Sequence, residues 1–249
     1  MPSSSPQRRS WVRWVIGGVV VVLVLVVGGP FVYIHFIEGP APAKFSLSTA
    51  TTPSTSSTTP SAVSTPGKTP AKTGADPLTG TWKISEGSSA GYRVKETLFG
   101  QSNTATGRTN SVTGSMTIAG TTVTKGSFTV DMTSVKSDRD LRDSQFQGRI
   151  MDTADFPTAT FVLTKPIGLA PIPKDGVIKS YPGTGELTLH GTKKTVTIPL
   201  TAKRTGNVIQ VQGILTITFA DYGVNNPSGG PAQVGNSGQM EFLLNLEPS

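Results

Sequence analysis

The segment IQVQGILTITF, residues 209–219, is the clearest indicator of the fold class. Residues two apart lie on the same face of a β-strand, so this segment separates into an apolar face and a polar face. The apolar face holds Ile209, Val211, Gly213, Leu215, Ile217 and Phe219. The polar face holds Gln210, Gln212, Thr216 and Thr218, and Ile214 is the exception. One buried and one solvated face is typical of an antiparallel sheet.

The same alternation recurs across residues 78–249, at 128–133, 195–200 and 240–246. Turns rich in Gly, Pro and Asn separate these segments and predict about nine or ten short strands. We therefore expect an all-β barrel or sandwich, since both protect sheet edges. An eight-stranded barrel is either filled by side chains or holds one small ligand, and the alternation leaves both open.

A single short helix is predicted at Ser137–Gln147. Ser137 or Asp138 is the expected N-cap, and Leu141 and Phe146 are the expected buried residues. The charged residues of this segment alternate in sign, which indicates a helix with surface ion pairs more than a catalytic carboxylate pair.

Composition excludes several functional classes. The 249 residues include no Cys and only two His, which excludes disulfides, thiolate metal sites and Cys nucleophiles. His190 is expected at a turn, and no second His of the domain could share a metal with it. We find no serine-nucleophile motif and no phosphate-binding glycine loop, so we expect no enzyme, cofactor or metal.

The net charge of +7 belongs mainly to the N-terminal part of the chain. Six of the 22 basic residues precede Leu78, and the remainder of the chain carries about +3. No basic run is interleaved with aromatic residues, so we expect no nucleic-acid partner.

Residues 14–37 contain no Asp, Glu, Lys or Arg, and the arginines at 8, 9 and 13 precede them. This pattern predicts a transmembrane signal anchor with residues 1–13 in the cytoplasm and the rest of the chain outside the membrane. Cleavage at the A-x-A-like Ala41-Pro42-Ala43 is the alternative, and it would give a secreted protein. Residues 38–77, rich in Ser, Thr and Pro, are predicted to be an unfolded linker that holds the domain at 78–249 off the membrane.

Three segments of that domain resemble the YceI-like family of polyisoprenoid-binding, lipocalin-like barrels. They are MDTADFPTATF at 151–161, GELTLHGTKKTV at 185–196 and ADYGV at 220–224. The resemblance covers about residues 81–246. It implies an eight-stranded antiparallel barrel with one short helix, around an apolar tunnel that holds an isoprenoid or other long-chain lipid.

The resemblance also implies which side chains line that tunnel, namely the inward residues of the alternating strands. These are Phe128, Val130, Met132, Phe161, Leu163, Leu189, Leu215, Ile217, Phe219 and Phe242. The expected function is transport or storage of the lipid at the cell membrane of a bacterial envelope. A structural or interaction domain with a packed core is the alternative, and the oligomeric state, with a dimer among the possibilities, is left open.

Overall fold

The computed structural model describes residues 8–23, 41–47, 78–230 and 232–249. An N-terminal helix, α1, spans Arg8–Leu23. No helix within these described ranges has the length and apolar content needed to cross a membrane. The second part of the predicted anchor, residues 24–37, lies outside the described residues, as does most of the predicted linker.

The domain that follows is built from antiparallel strands. In chain order these are β1 (Gly80–Ile84), β2 (Ser89–Leu98), β3 (Gln101–Thr109), β4 (Val112–Ala119), β5 (Thr122–Asp131), β6 (Lys136–Ser137), β7 (Thr158–Leu163), β8 (Ile167–Gly168), β9 (Ile178–Leu189), β10 (Thr192–Thr205), β11 (Val208–Thr218), β12 (Ala232–Val234) and β13 (Ser237–Pro248). Short helical turns lie between them. They are a 3₁₀ turn at Met132–Ser134, helix α2 (Asp140–Gln145), a π-helical turn at Phe146–Ile150 and a 3₁₀ turn at Phe219–Tyr222.

The strands close into a barrel in which each long strand pairs with the next one along the chain. β1 and β2 together form one interrupted strand, and so do β3 and β4, because β1 pairs with β4 while β2 pairs with β3. β5, β7, β9, β10, β11 and β13 follow in order, and β13 pairs with both β1 and β2. The eight-stranded antiparallel barrel that the sequence predicts is therefore confirmed. With its two interruptions the barrel accounts for ten strand segments, and the short strands β6, β8 and β12 bring the described residues above the nine or ten expected.

The predicted face of residues 209–219 points into the barrel. Gly213 lies opposite Phe242 in the β11–β13 pair. A Cβ on Gly213 would lie 2.8 Å from Cε1 of Phe242, so the glycine leaves the space that this aromatic ring fills. Gly213 thus stabilises the barrel through packing, although glycine has a low intrinsic preference for strands.

The predicted helix is shorter than expected, and one of its two predicted buried residues is wrong. Phe146 is buried as expected, whereas Leu141 is 72% exposed. Neither Ser137 nor Asp138 caps α2, because Arg139 is at the N-cap and makes no side-chain capping bond. Ser137 instead lies in β6, where it donates from its backbone N and its Oγ to the buried Asp143 carboxylate, each at 2.7 Å. These bonds hold α2 against the barrel and leave Leu141 facing outward.

Candidate functional site

One end of the barrel encloses an apolar cavity of about 350 Å³. We call this end the mouth. It is formed by the β2–β3 turn, α2 and residues 223–230 and 232–236, which precede β13. The cavity wall is built from inward residues of β2, β5, β9, β11 and β13. Its volume is at the lower end of the range of about 300–1,000 Å³ that is typical of ligand pockets.

Eight of the ten predicted lining residues line this cavity. They are Phe128, Val130, Met132, Leu189, Leu215, Ile217, Phe219 and Phe242. These side chains come from four strands and two 3₁₀ turns, so the barrel brings together residues that are far apart in the sequence. Whether they contact a lipid stays a prediction.

Phe161 and Leu163 are not among the residues that line the cavity. Phe161 is buried beside Phe128, with the two ring centroids 5.6 Å apart, and the ring of Phe128 lies 5.0 Å from that of Phe242. These three rings meet in the middle of the barrel and close the inner end of the cavity. Leu163 lies on the far side of that cluster, where an added Cβ on Gly126 would be 3.7 Å from it.

Beyond the aromatic cluster the barrel is filled by side chains. Trp82, Ile118, Val123, Ile209 and Leu246 are buried there in the hydrophobic core, and none of them lines the cavity. The expected long tunnel is therefore a blind cavity that occupies the mouth half of the barrel. The two possibilities that the alternation left open, a hollow and a filled interior, are both realised, one in each half.

Several lining residues were not predicted from the sequence. Tyr92, Val94 and Leu98 point inward from β2, and Tyr92 stacks on Phe146 with a centroid distance of 4.9 Å. Alternation in residues 92–98 could have revealed them, but the acidic Glu96 interrupts the apolar pattern. Burial raises the pKa of the Tyr92 phenol above its ordinary value.

The polar groups at the mouth are paired with one another. Arg142 lies 3.4 Å from the carboxylate of Glu96 and also forms an ion pair with Asp138. Asn103 donates to Glu96 at 2.8 Å. The mouth is therefore a neutralised polar rim around an apolar interior, and it offers no cluster of unpaired like charges to a ligand.

Two exposed apolar side chains are also part of the mouth. Phe99, in the β2–β3 turn, is 51% exposed, and Leu141 of α2 is 72% exposed. Both line the outer end of the cavity. An apolar surface thus continues from the cavity to the outside of the protein.

A segment made of residues 223–230 and 232–236 covers one side of the mouth. Its Val224 and Val234 line the cavity, and β12 within it pairs with β2. Arg149, in the π-helical turn, donates to the Pro227 carbonyl at 3.0 Å. These contacts hold the segment to the π-helical turn and to β2.

The possible metal ligands and the histidine of the barrel lie apart from one another in the described ranges. These ranges contain no group of three or more His, Cys, Asp and Glu residues with the geometry to hold a metal ion. His190 occupies a turn, as expected, with Nδ1 3.2 Å from the Tyr222 carbonyl oxygen and its ring 4.5 Å from that of Phe156. These contacts give His190 a packing role at the β9–β10 turn.

The fold resembles several solved structures. A polyisoprenoid binding domain from Saccharophagus degradans, described as implicated in plant cell wall breakdown, matches with a TM-score of 0.55 and 19% identity, covering 69% of this chain and 99% of that domain. BcnA from Burkholderia cenocepacia matches with a TM-score of 0.48 and 21% identity, covering 66% of this chain and 95% of that one. At these identities the likeness to the first structure indicates a shared fold. No curated protein matches the chain.

The family comparison covers the barrel from its first strand to its last. The family model for the YceI-like domain matches residues 82–246, which is more than half of the chain. This range contains all three segments on which the resemblance was based, together with the complete cavity. The chain therefore belongs to the YceI-like domain family.

Proposed function

We propose that the barrel binds one long-chain lipid of the isoprenoid class and holds it without catalysing a reaction. The observation that carries this proposal is the apolar cavity of about 350 Å³ in the mouth half of the barrel. Burial of a hydrocarbon chain there contributes about 25 cal/mol for each Å² of apolar surface removed from water. No polar partner is needed along the chain, which matches a wall built from aliphatic and aromatic side chains.

The comparisons support this choice of ligand class. The chain belongs to the YceI-like domain family, and the solved domain from Saccharophagus degradans is described as polyisoprenoid binding. An isoprenoid chain is apolar, flexible and branched by methyl groups, so it can adapt to an irregular wall. A volume of about 350 Å³ is enough for one part of such a chain. We propose that the remainder leaves through the mouth along Phe99 and Leu141.

The pairing of the mouth's polar groups supports binding without catalysis. Glu96, Asp138 and Arg142 are joined in one network, so none of them is set apart as a general acid or base. The same network provides a polar collar around the mouth. We propose that the collar faces water and lipid headgroups while the chain of the ligand is inside.

We also propose that the protein is held in the cell membrane by residues 14–37, with the barrel on the extracytoplasmic side. The uncharged stretch and the preceding arginines support this orientation. Retention of the intact chain in membranes after alkaline washing, with the barrel accessible to protease added to spheroplasts, is the expected result. A barrel that stays protected in spheroplasts and becomes accessible only after they are lysed would contradict it.

A cavity-filling substitution tests the lipid site. Leu215 lines the cavity, whereas its neighbour Thr216 is exposed on the other face of β11. We expect Leu215→Trp to reduce uptake of a fluorescent polyprenol at least tenfold, because the indole occupies the ligand's space. The domain should stay folded by circular dichroism, and the matched control Thr216→Trp should bind normally.

Two outcomes of this experiment would contradict the proposal. Normal uptake by Leu215→Trp would mean that the ligand does not use this cavity. Unfolding by Leu215→Trp alone would indicate an interior too tightly packed for a ligand. That second result would favour the alternative function, a structural or interaction domain of the envelope.

A further inference from the structure

A buried ion cluster lies on the outer face of the barrel. Glu241 is only 2% exposed, although its position between the inward-facing Met240 and Phe242 places it on the outside of β13. Its carboxylate lies 2.8 Å from Nη2 of Arg108 and 3.5 Å from Nε of Arg93. A charge that is buried on an outer face requires something else to cover it.

A glycine explains how the cluster crosses the sheet. Gly91 of β2 pairs with Glu241 on one side and with Arg108 of β3 on the other. A Cβ on Gly91 would lie 2.9 Å from Cγ of Arg108. Because Gly91 has no side chain, Arg108 can lie flat across β2 and reach Glu241 on the next strand.

The cover is residues 41–47. Arg93 donates to the Pro42 carbonyl and Arg108 to the Ala43 carbonyl. The guanidinium carbon of Arg108 is 4.1 Å from the centre of the Phe45 ring, a cation–π contact. The side chains of Phe45 and Leu47 are half-buried while Lys44 and Ser46, which alternate with them, are exposed, as expected for an extended segment lying on a surface.

The same segment reaches the edge of the mouth. Ala41 and Pro42 line a second, smaller cavity of about 290 Å³, together with residues of β3, β6 and α2. Arg142 lines both this cavity and the larger one that opens at the mouth. Residues 41–47 therefore lie beside the mouth and not at the filled end of the barrel.

We infer that residues 41–47 form a clasp, an extended segment that docks on the Arg93–Arg108–Glu241 cluster and fixes the mouth close to the place where the chain leaves the membrane. The docking of residues 41–47 rests on the contacts described above. The position of the mouth near the membrane rests in addition on the proposed membrane anchor. If the anchor ends at Ile37, only residues 38–40 separate it from the clasp. Three residues span at most about 11 Å, so the linker cannot act as a long spacer.

The proposal changes the role of the predicted linker. Residues 48–77 then connect the clasp to β1 and do not set the distance between the barrel and the bilayer. A lipid leaving the membrane would meet the mouth directly, next to Phe99 and Leu141. With the clasp docked, the mouth of the barrel faces the membrane, and the ligand passes from the membrane into the mouth.

Limited trypsin digestion of the full chain in detergent tests the clasp. Trypsin cleaves after lysine in extended, accessible chain, and Lys44 lies within the clasp while Lys68 and Lys72 lie in the Ser/Thr/Pro-rich stretch. We expect cleavage after Lys44 to be at least tenfold slower than after Lys68. The substitution Phe45→Ala should remove this protection, and the matched control Ser46→Ala should keep it. Peptides of residues 38–50 carrying each substitution correct for the intrinsic preference of the protease.

Each outcome decides for or against the clasp independently of lipid binding. Equal cleavage after Lys44 and Lys68 in the unsubstituted chain would overturn it, as would unchanged protection in Phe45→Ala. An intact mass showing that the mature chain starts after Ala43 would also overturn it, because the two carbonyl groups bound by the arginines would be gone. Protection that is lost only in Phe45→Ala supports the clasp, whether or not the same samples take up a polyprenol. Failure of uptake alone counts only against the proposed function.

Discussion

Glu241 lies between Met240 and Phe242, two residues of the cavity wall. Met240 and Phe242 point inward, so Glu241 lies on the outer face of β13, as the sequence pattern predicts. The structure adds that it is almost completely buried, because two arginines from neighbouring strands converge on it. Alternation predicts the side of the sheet on which a residue lies, but burial depends on partners that are about 130 or more residues away.

Removal of the Glu241 charge should destabilise the domain. In Glu241→Gln, Arg93 and Arg108 lose the carboxylate that compensates two largely buried cations. We expect the free energy of unfolding to fall by about 3 kcal/mol, the scale for breaking a buried ion pair. Urea denaturation followed by tryptophan fluorescence measures the loss, and the exposed Glu247→Gln provides the control. Equal stability of the two variants would show that the cluster contributes nothing.

Tyr92 provides a prediction about alkaline pH. Burial raises the pKa of its phenol in the folded protein above the ordinary value of 10.0. A group that holds its proton more tightly when folded contributes stability below its unfolded pKa and loses it as the pH rises above that value. The domain should therefore become less stable above about pH 10, and Tyr92→Phe should lose less over that range.

The measurement for Tyr92 is denaturation at a series of pH values from 8 to about 11.5, with phenolate absorbance recorded in parallel. Tyr222, whose pKa is also raised by burial, supplies the comparison Tyr222→Phe. Because burial raises the pKa of Tyr92 further than that of Tyr222, Tyr222→Phe should change the alkaline slope less. Identical slopes in the parent chain and in Tyr92→Phe would contradict the assignment.

Among the elements, the long strands are predicted best from the sequence and the helix worst. β11 and β13 have 11 and 12 residues with an apolar residue at every second position. A single exception such as Ile214 does not hide a pattern of this length. α2 has six residues, fewer than two turns, and so its apolar period is barely defined. Its position depends on Asp143, which bonds back to β6, and this tertiary contact has no local sequence signal.

Alanine substitutions of Leu141 and Phe146 test the burial that the structure gives to each of these residues. Phe146 is buried against Tyr92, so Phe146→Ala should lower the free energy of unfolding by about 3–5 kcal/mol. Leu141 is mostly exposed, so Leu141→Ala should change it by no more than about 0.5 kcal/mol. Chemical denaturation of both variants measures the difference. A large loss in Leu141→Ala would restore the original expectation that both residues are buried.

The mouth residues of the site were harder to predict than the wall. Phe128, Val130 and Phe242 follow from strand alternation, since inward residues of a barrel must line whatever is inside. The mouth instead combines Phe99 from a turn, Leu141 from a helix and Val224 from a long irregular segment. These three have no common period, and only the folded chain brings them to one place.

At the scale of the domain, the family resemblance implied a barrel around a tunnel, whereas the alternation predicted a barrel or sandwich and left its interior open. Neither indicated that the Phe128, Phe161 and Phe242 rings would meet and divide it. The division depends on glycines such as Gly213, which provide space for rings on neighbouring strands. The result is a barrel with one half filled by side chains and one half that contains the cavity.

Native mass spectrometry of the full chain, purified without added lipid, tests the central claim most directly. The account predicts an adduct of one isoprenoid-class lipid per chain, which extraction releases chemically unchanged and which is reduced in Leu215→Trp but not in Thr216→Trp. A ligand-free spectrum that also shows no adduct after incubation with polyprenol would contradict it.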